Sequence, residues 1–171
     1  MFSFFSYGAT LNVSANINNG TCDVVSNNNL IIFNPISHNV FNERKQTLQI
    51  ISFNLELKNC MTLSGGVMRH GVRVTGDVSQ EDRYLFQKLS KDSAEGVGII
   101  LREGEYMGTL RNFYDQSLMV SDGMYTHIAQ AGEAAVNKNL IFTVGLSNGD
   151  SQSPVTPGDV LAYLEFSFVY H

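Results

Sequence analysis

The sequence predicts an all-β fold, an antiparallel sandwich of two sheets, on three observations. Apolar residues recur at every second position in several separate stretches, which is the period of a strand that buries one face. Clusters of Asn, Gly, Ser and Pro punctuate those stretches, as at Asn27-Asn28-Asn29 and Ser147-Asn148-Gly149-Asp150. Helical periodicity is almost absent from the 171 residues, a length that suits one domain with a proper core.

The strongest alternation lies at the end of the chain, from Gly158 to His171, where Val160, Ala162, Leu164, Phe166, Phe168 and Tyr170 form one face. Tyr163, Glu165, Ser167 and His171 form the other. Terminal residues fray unless something ties them down, so a strand this apolar at the chain end implies a partner. The first strand is expected over Gly8 to Ile17, with Ala9, Leu11, Val13, Ala15 and Ile17 set against Thr10, Asn12, Ser14 and Asn16. The turn Asn18-Asn19-Gly20 ends it, and Val24 and Val25 begin a second short extended piece after Cys22.

Leu30 to Phe33 reads as a short buried strand, stopped by Pro35. Leu48 to Leu57 resumes with Ile51, Phe53, Leu55 and Leu57 on one face, and Cys60 follows. Val67 to Val74 is another strand. Ser79 to Leu89 suits a helical turn or a compact loop with its charge toward solvent. Gly96-Val97-Gly98-Ile99-Ile100-Leu101 opens a further strand that Gly104 breaks. Met107 to Val120 reads as irregular extended chain, and Ile128 to Val136 as a short helix or a wide loop. Leu140 to Leu146 restores the strand pattern before the last long turn. The total is six or seven strands in one domain, residues 1–171.

Eleven Lys and Arg against sixteen Asp and Glu leave a formal charge of −5 and no basic stripe, which argues against nucleic acid as a partner. No apolar run approaches the length of a membrane-crossing helix. The opening Met-Phe-Ser-Phe-Phe-Ser-Tyr is not an intact secretory signal, so either a signal was removed or the chain is cytosolic. Cys22 and Cys60 lack the spacing of a metal knuckle or a C-x-x-C redox site. A disulfide is the simpler reading, worth about 3–4 kcal/mol on the chain-entropy estimate. The alternative is two free buried thiols, and the redox compartment decides between them.

Little in the sequence points to catalysis. His38, His70, His127 and His171 share no ligand spacing and read as surface or loop residues, so no metal or cofactor is expected. Glu95, Glu103 and Glu105, or Asp77, Glu81 and Asp82, would need a defined separation across a cleft to act as a catalytic pair, and as loop clusters they read as solvated charge. No nucleophile elbow, phosphate loop or dinucleotide fingerprint is present, and an enzyme is not expected.

Four motifs occur in order: Gly20-Thr21-Cys22-Asp23-Val24, then Phe53-x-Leu55-x-Leu57-x-x-Cys60, then Gly96-Val97-Gly98-Ile99, then Gly158 with the penultimate Tyr170. Together they resemble the pilin subunits of the chaperone–usher class over nearly the whole chain. The resemblance implies an immunoglobulin-like sandwich that lacks its final strand, with one disulfide, Cys22–Cys60, formed in an oxidising compartment. It implies a groove left open between the first and last strands, lined by Leu164, Phe166, Phe168 and Tyr170 on one side and faced by Leu11, Val13 and Ala15 on the other. Without the resemblance, the same side chains read as the ordinary core of a complete sandwich.

In that family a periplasmic chaperone lends the missing strand, and a neighbouring subunit then replaces it as the outer-membrane usher extends the fibre. Both steps are β-augmentation. The implied anchor for the chaperone is the carboxylate of His171, and Gly158 and Tyr170 are the implied assembly motif. The expected function is a structural subunit of an adhesive fimbria, in the periplasm during assembly and extracellular afterwards. The alternative is a tip or minor subunit that binds a host glycan or receptor, with Tyr106, Tyr114 and Tyr125 as the aromatics able to stack on a sugar. One departure stands at the front. Met1 to Tyr7 before Gly8 is shorter than the family's usual donor extension, which implies a truncated extension, a naturally short one, or a tip position.

Overall fold

Alternation of inward and outward side chains sorts the chain into ten strands in a computed structural model that describes residues 8–16, 22–61 and 68–171. In chain order they are β1 (Ala9–Asn16), β2 (Asp23–Ser26), β3 (Leu30–Phe33), β4 (Thr47–Lys58), β5 (His70–Thr75), β6 (Gly98–Glu103), β7 (Met119–Val120), β8 (Tyr125–Thr126), β9 (Lys138–Ser147) and β10 (Val160–Tyr170). One sheet runs β3-β1-β10-β5-β8 and the other β2-β4-β9-β6-β7. The predicted all-β sandwich is therefore the observed one. The turn at Asn18-Asn19-Gly20, the flanking Ile17 and Thr21, the strand start at Val67 and the segment Met1 to Tyr7 lie outside the described residues.

The inner faces supply the core. Phe53, Leu55 and Leu57 of β4, Leu140, Phe142, Val144 and Leu146 of β9, Val72 and Val74 of β5 and the inward row of β10 are all buried. Phe142 is the hub, stacked on Phe53 at 5.9 Å and tilted against Phe166 at 5.1 Å between ring centres. Strand β6 departs from alternation because both of its faces are covered. Ile99 and Leu101 enter this core, while Ile100 joins a second cluster with Leu85, Phe113, Tyr114 and Met119. A strand buried on both faces reads as a continuous apolar run.

Two connections differ from expectation, and two others take one of the alternatives the sequence left open. Leu30 to Phe33 is not a fully buried strand: Ile31 and Phe33 point inward, but Leu30 is 55% and Ile32 65% exposed, as befits the edge strand of a sheet. Met107 to Val120 is extended only at β7, with a 3-10 turn at Leu110–Asn112. Ile128 to Val136 is loop and turn, since the left-handed φ of 77° at Gly132 breaks any helix there. Ser79 to Leu89 takes the compact-loop alternative, with Phe86 bridging to Val78 and Ile99. Its charge does not all face solvent, because Asp82 is buried.

Cys22 and Cys60 form the disulfide, closing residue 22 against the chain just past β4. With the half-cystines 38 positions apart in sequence, the chain-entropy estimate gives about 3–4 kcal/mol. Replacing both cysteines with serine should lower the unfolding free energy by about that amount. Urea denaturation followed by circular dichroism measures it, and an unchanged midpoint would show that the closed loop contributes nothing.

Candidate assembly groove

Strand β10 is flanked on both sides. Against β5 it pairs antiparallel from Glu165↔Thr75 to Tyr170↔His70. Against β1 it pairs parallel over the whole of β1, from Ala9↔Val160 to Asn16↔Ser167. Every other pairing between named strands is antiparallel. Strand β3 lies on the far side of β1, antiparallel from Ala9↔Phe33 to Asn12↔Leu30. Strand β1 thus occupies a slot between β3 and β10.

The expected open groove between the first and last strands is therefore corrected: those strands are hydrogen-bonded neighbours. Leu11, Val13 and Ala15 are not a facing edge but the inward row of the strand that fills the slot. Leu11 is fully buried, Val13 buried and Ala15 half-buried. They stand opposite Ala162, Leu164 and Phe166. Alternation reveals which face of a strand is buried but not which strands lie beside it, and this is why the sequence could not distinguish a groove edge from a groove filler.

The covalent structure sets β1 apart. The disulfide begins at Cys22, downstream of β1, so the loop closed by Cys22 and Cys60 holds β2, β3 and β4 while β1 lies outside it. A cavity of about 40 Å³ sits at the head of the slot, lined by Gly8, Ala9, Ile36, Phe41, Val97 and Val155 among others.

At the start of β10, Gly158 is required by close backbone approach. A Cβ there would sit 2.3 Å from the amide nitrogen of Ala94, where the Ala94 N–H donates to the Asp159 carbonyl at 3.0 Å. At the other end, Tyr170 packs edge-on to Phe168 at 5.5 Å and to His70 at 5.8 Å. His171 continues the ladder past β10: its N–H donates to the Arg69 carbonyl and its own main-chain oxygen accepts from the Arg69 N–H, both at 2.8 Å.

His70 is a correction to the expectation of surface or loop histidines. It is a buried strand residue stacked on Phe168 at 5.4 Å, and neither ring nitrogen has a hydrogen-bond partner among the described residues. Burial holds the His127 imidazole below its usual range, with Lys138 adding to the effect. Among the described residues no three His, Cys, Asp or Glu side chains gather to hold a metal.

The three candidate sugar-stacking tyrosines are each committed to an internal contact. Tyr106 lies edge-on to Phe113 at 4.9 Å beneath the Arg102 guanidinium. Tyr125 packs against the His171 ring at 4.5 Å. Tyr114 is buried and donates to Asp82 Oδ2 at 2.8 Å, and burial pushes its phenol well above the usual range.

The acidic cluster is likewise structural. Asp82 also accepts from the backbone N–H groups of Tyr84 and Asp150. Glu81 accepts from the hydroxyls of Ser151 and Ser153 and from the N–H groups of Ser153 and Gln152. These two carboxylates pin the loop before β10 to the loop after β5.

A family model for fimbrial proteins matches residues 11–171. The chain belongs to the fimbrial protein family. The fimbrial chain is similar to an antigen and type I fimbria protein of Burkholderia pseudomallei, at 17% identity, covering 97% of this chain and 93% of that one with a TM-score of 0.48. It is also similar to the CupB6 tip adhesin of Pseudomonas aeruginosa, at 13% identity and a TM-score of 0.45, covering 74% of this chain and 36% of that one. No curated protein matches it. As a fimbrial subunit it works in association with other subunits in a fimbria on the cell surface.

The hydroxyl of Ser151, followed by that of Ser153, holds the Glu81 carboxyl down at about 2 from an ordinary 4.5. A carboxylate depressed by folding stabilises the folded chain above its unfolded pKa, and that contribution is lost as pH falls through the folded one. Stability from Glu81 is therefore complete above pH 4.5 and gone below about 2. Thermal unfolding of Glu81→Gln across this window should give a shallower acid limb than the parent. Parallel limbs would mean that the serine contacts do not couple to folding.

Proposed function

We propose that this fimbrial subunit is a structural component of an adhesive fimbria, assembled by donor-strand complementation and exchange, with β1 as the strand that moves. The observation that carries this reading is the place of β1. It fills a slot between β3 and β10, it forms the one parallel pairing between named strands, and it lies outside the disulfide-closed loop. Removing it would uncover Ile31, Phe33, Leu164 and Phe166 together with the facing backbone edges of two strands. Uncovered edges and apolar surface are an aggregation hazard, so the slot must be occupied at every stage.

In the periplasm the occupant is a strand lent by a chaperone. Backbone hydrogen bonds to β3 and β10 supply affinity, and the row Ala162, Leu164 and Phe166 sets register. The exposed C-terminal residue His171 offers its carboxylate to basic residues of the chaperone as the anchor, one strand position beyond Tyr170. At the usher a neighbouring subunit's strand takes the slot, and the chain's own β1 becomes available to a further neighbour. While β1 sits in its own slot, the subunit neither gives nor takes a strand. Self-filling therefore competes with assembly.

Periplasmic expression of Leu11→Asp tests the reading. Removing the buried leucine alone costs about 2–5 kcal/mol, and a carboxylate in its place raises the cost, so β1 should no longer fill its own slot. The variant alone is expected to aggregate or be degraded, and co-expression with the cognate chaperone should restore a soluble one-to-one complex, since the chaperone supplies the strand. A soluble, chaperone-independent Leu11→Asp monomer would remove the basis for the mechanism.

A further inference from the structure

We infer that the uncovered flank of β4, from Leu48 to Phe53, is a second strand-accepting edge, and that its occupant is an extended, uncharged segment of a partner protein. The inference is independent of any exchange of β1. It starts from main-chain groups. Asn54 turns both of its own toward the flank that β2 covers: its carbonyl accepts from the Asn27 N–H at 3.3 Å, and its N–H donates to Asn27 Oδ1 at 3.2 Å. These groups alternate from side to side along a strand, so Ser52 and Ile50 turn theirs to the same flank. Strand β2, however, faces β4 only from Leu55 to Lys58, and among the described residues no strand lies beside Ile50 and Ser52 on that flank.

Open edges are normally blunted by shortness, charge or proline. The strands at the ends of the two sheets obey: β7 and β8 have two residues each, β2 and β3 four. The flank of β4 does not. From Gln46 to Leu55 it carries no charged residue and no proline, and an unblunted edge of this length calls for a partner.

A cleft of about 580 Å³ lies along this edge. Ile32 and Asn34 line it from the side of the other sheet, and Tyr106 and Leu110 line it from the segment over the outer face of β4. The first wall is braced, because the Gln49 side-chain amide accepts from the Asn34 N–H at 2.9 Å and donates to the Asn34 carbonyl at 2.7 Å. A strand laid on β4 would send alternate side chains toward the two walls, where Ile32 and Leu110, 65% and 44% exposed, offer apolar contact. Main-chain bonds then supply affinity and the walls supply register. Every lining residue is uncharged, so the matching segment is uncharged as well. The edge is recessed between its walls, so the equally recessed β4 edge of a second copy cannot reach it, whereas a free extended segment can.

Amide hydrogen exchange on the full-length chain reads this flank directly. In the free protein the N–H groups of Ile50 and Ser52 should exchange fast, unlike that of Glu56, which β2 covers. The probe is a capped seven-residue peptide of alternating valine and threonine. Saturable binding should slow exchange at Ile50 and Ser52 at least about tenfold, and the same peptide N-methylated throughout, which cannot donate, should not bind. Ser52→Pro removes one edge N–H at a position where proline is tolerated in a strand, and Ile32→Asp puts a charge in the wall at an exposed site. Each should weaken peptide binding at least about tenfold with the circular dichroism of the parent.

Equal binding by the N-methylated peptide, undiminished binding to both variants, or no peptide-dependent protection of Ile50 and Ser52 would overturn the inference. Protection confined to β3 and β10 would place the peptide in the slot and overturn it too. Protection that rises with protein concentration in the absence of peptide would make a second copy the occupant in place of a partner.

Discussion

An eleven-residue strand whose inward face is Val160, Ala162, Leu164, Phe166 and Phe168 must satisfy backbone hydrogen bonds along both flanks while keeping that face dry. Strand β5 meets the need on one side, but only from Glu165 onward. On the other side the chain's own β1 meets it from Val160 to Ser167. Phe166, which contacts both Phe53 and Phe142 across the sandwich, stays in the core only while that second flank is closed. The packing of the two sheets therefore depends on an element that lies outside the loop closed by Cys22 and Cys60.

The rest of the molecule is braced by contacts that do not involve β1. The disulfide holds residue 22 to the end of β4. The second apolar cluster around Ile100 and Phe113 covers the outer face of the other sheet, far from the slot in the sheet order. Asp82 and Glu81 tie the loops that precede β10, and Gly158 allows the chain to pass close against Ala94 as β10 begins. These contacts fix the position of β10 from the side of the other sheet and of the loops that lead into it.

Much of this was legible in the residues. The alternation of β1, β4, β9 and β10 identified them as strands, and the order of the cysteine and glycine motifs pointed to the fimbrial family. What escaped were features made by segments distant in the chain. Asp82 looks like any loop carboxylate until Tyr114 and the Asp150 amide, 32 and 68 residues away, are brought against it. His70 reads as polar and exposed, yet Phe168 and Tyr170 of another strand bury it. The run Ile99-Ile100-Leu101 announces burial but does not say that two separate clusters share it.

The sequence by itself determined which segments are strands, which face of each is apolar and which two cysteines are available to pair, because side-chain period and composition are local properties. Only the tertiary structure decided that β1 is the neighbour of β10, parallel to it and inserted ahead of β3. Sheet neighbourhood is set by backbone hydrogen bonds between segments some 150 residues apart, and those bonds leave no mark on the alternation of either strand. The same apolar row serves an edge or an insert equally well, and the fold makes it an insert.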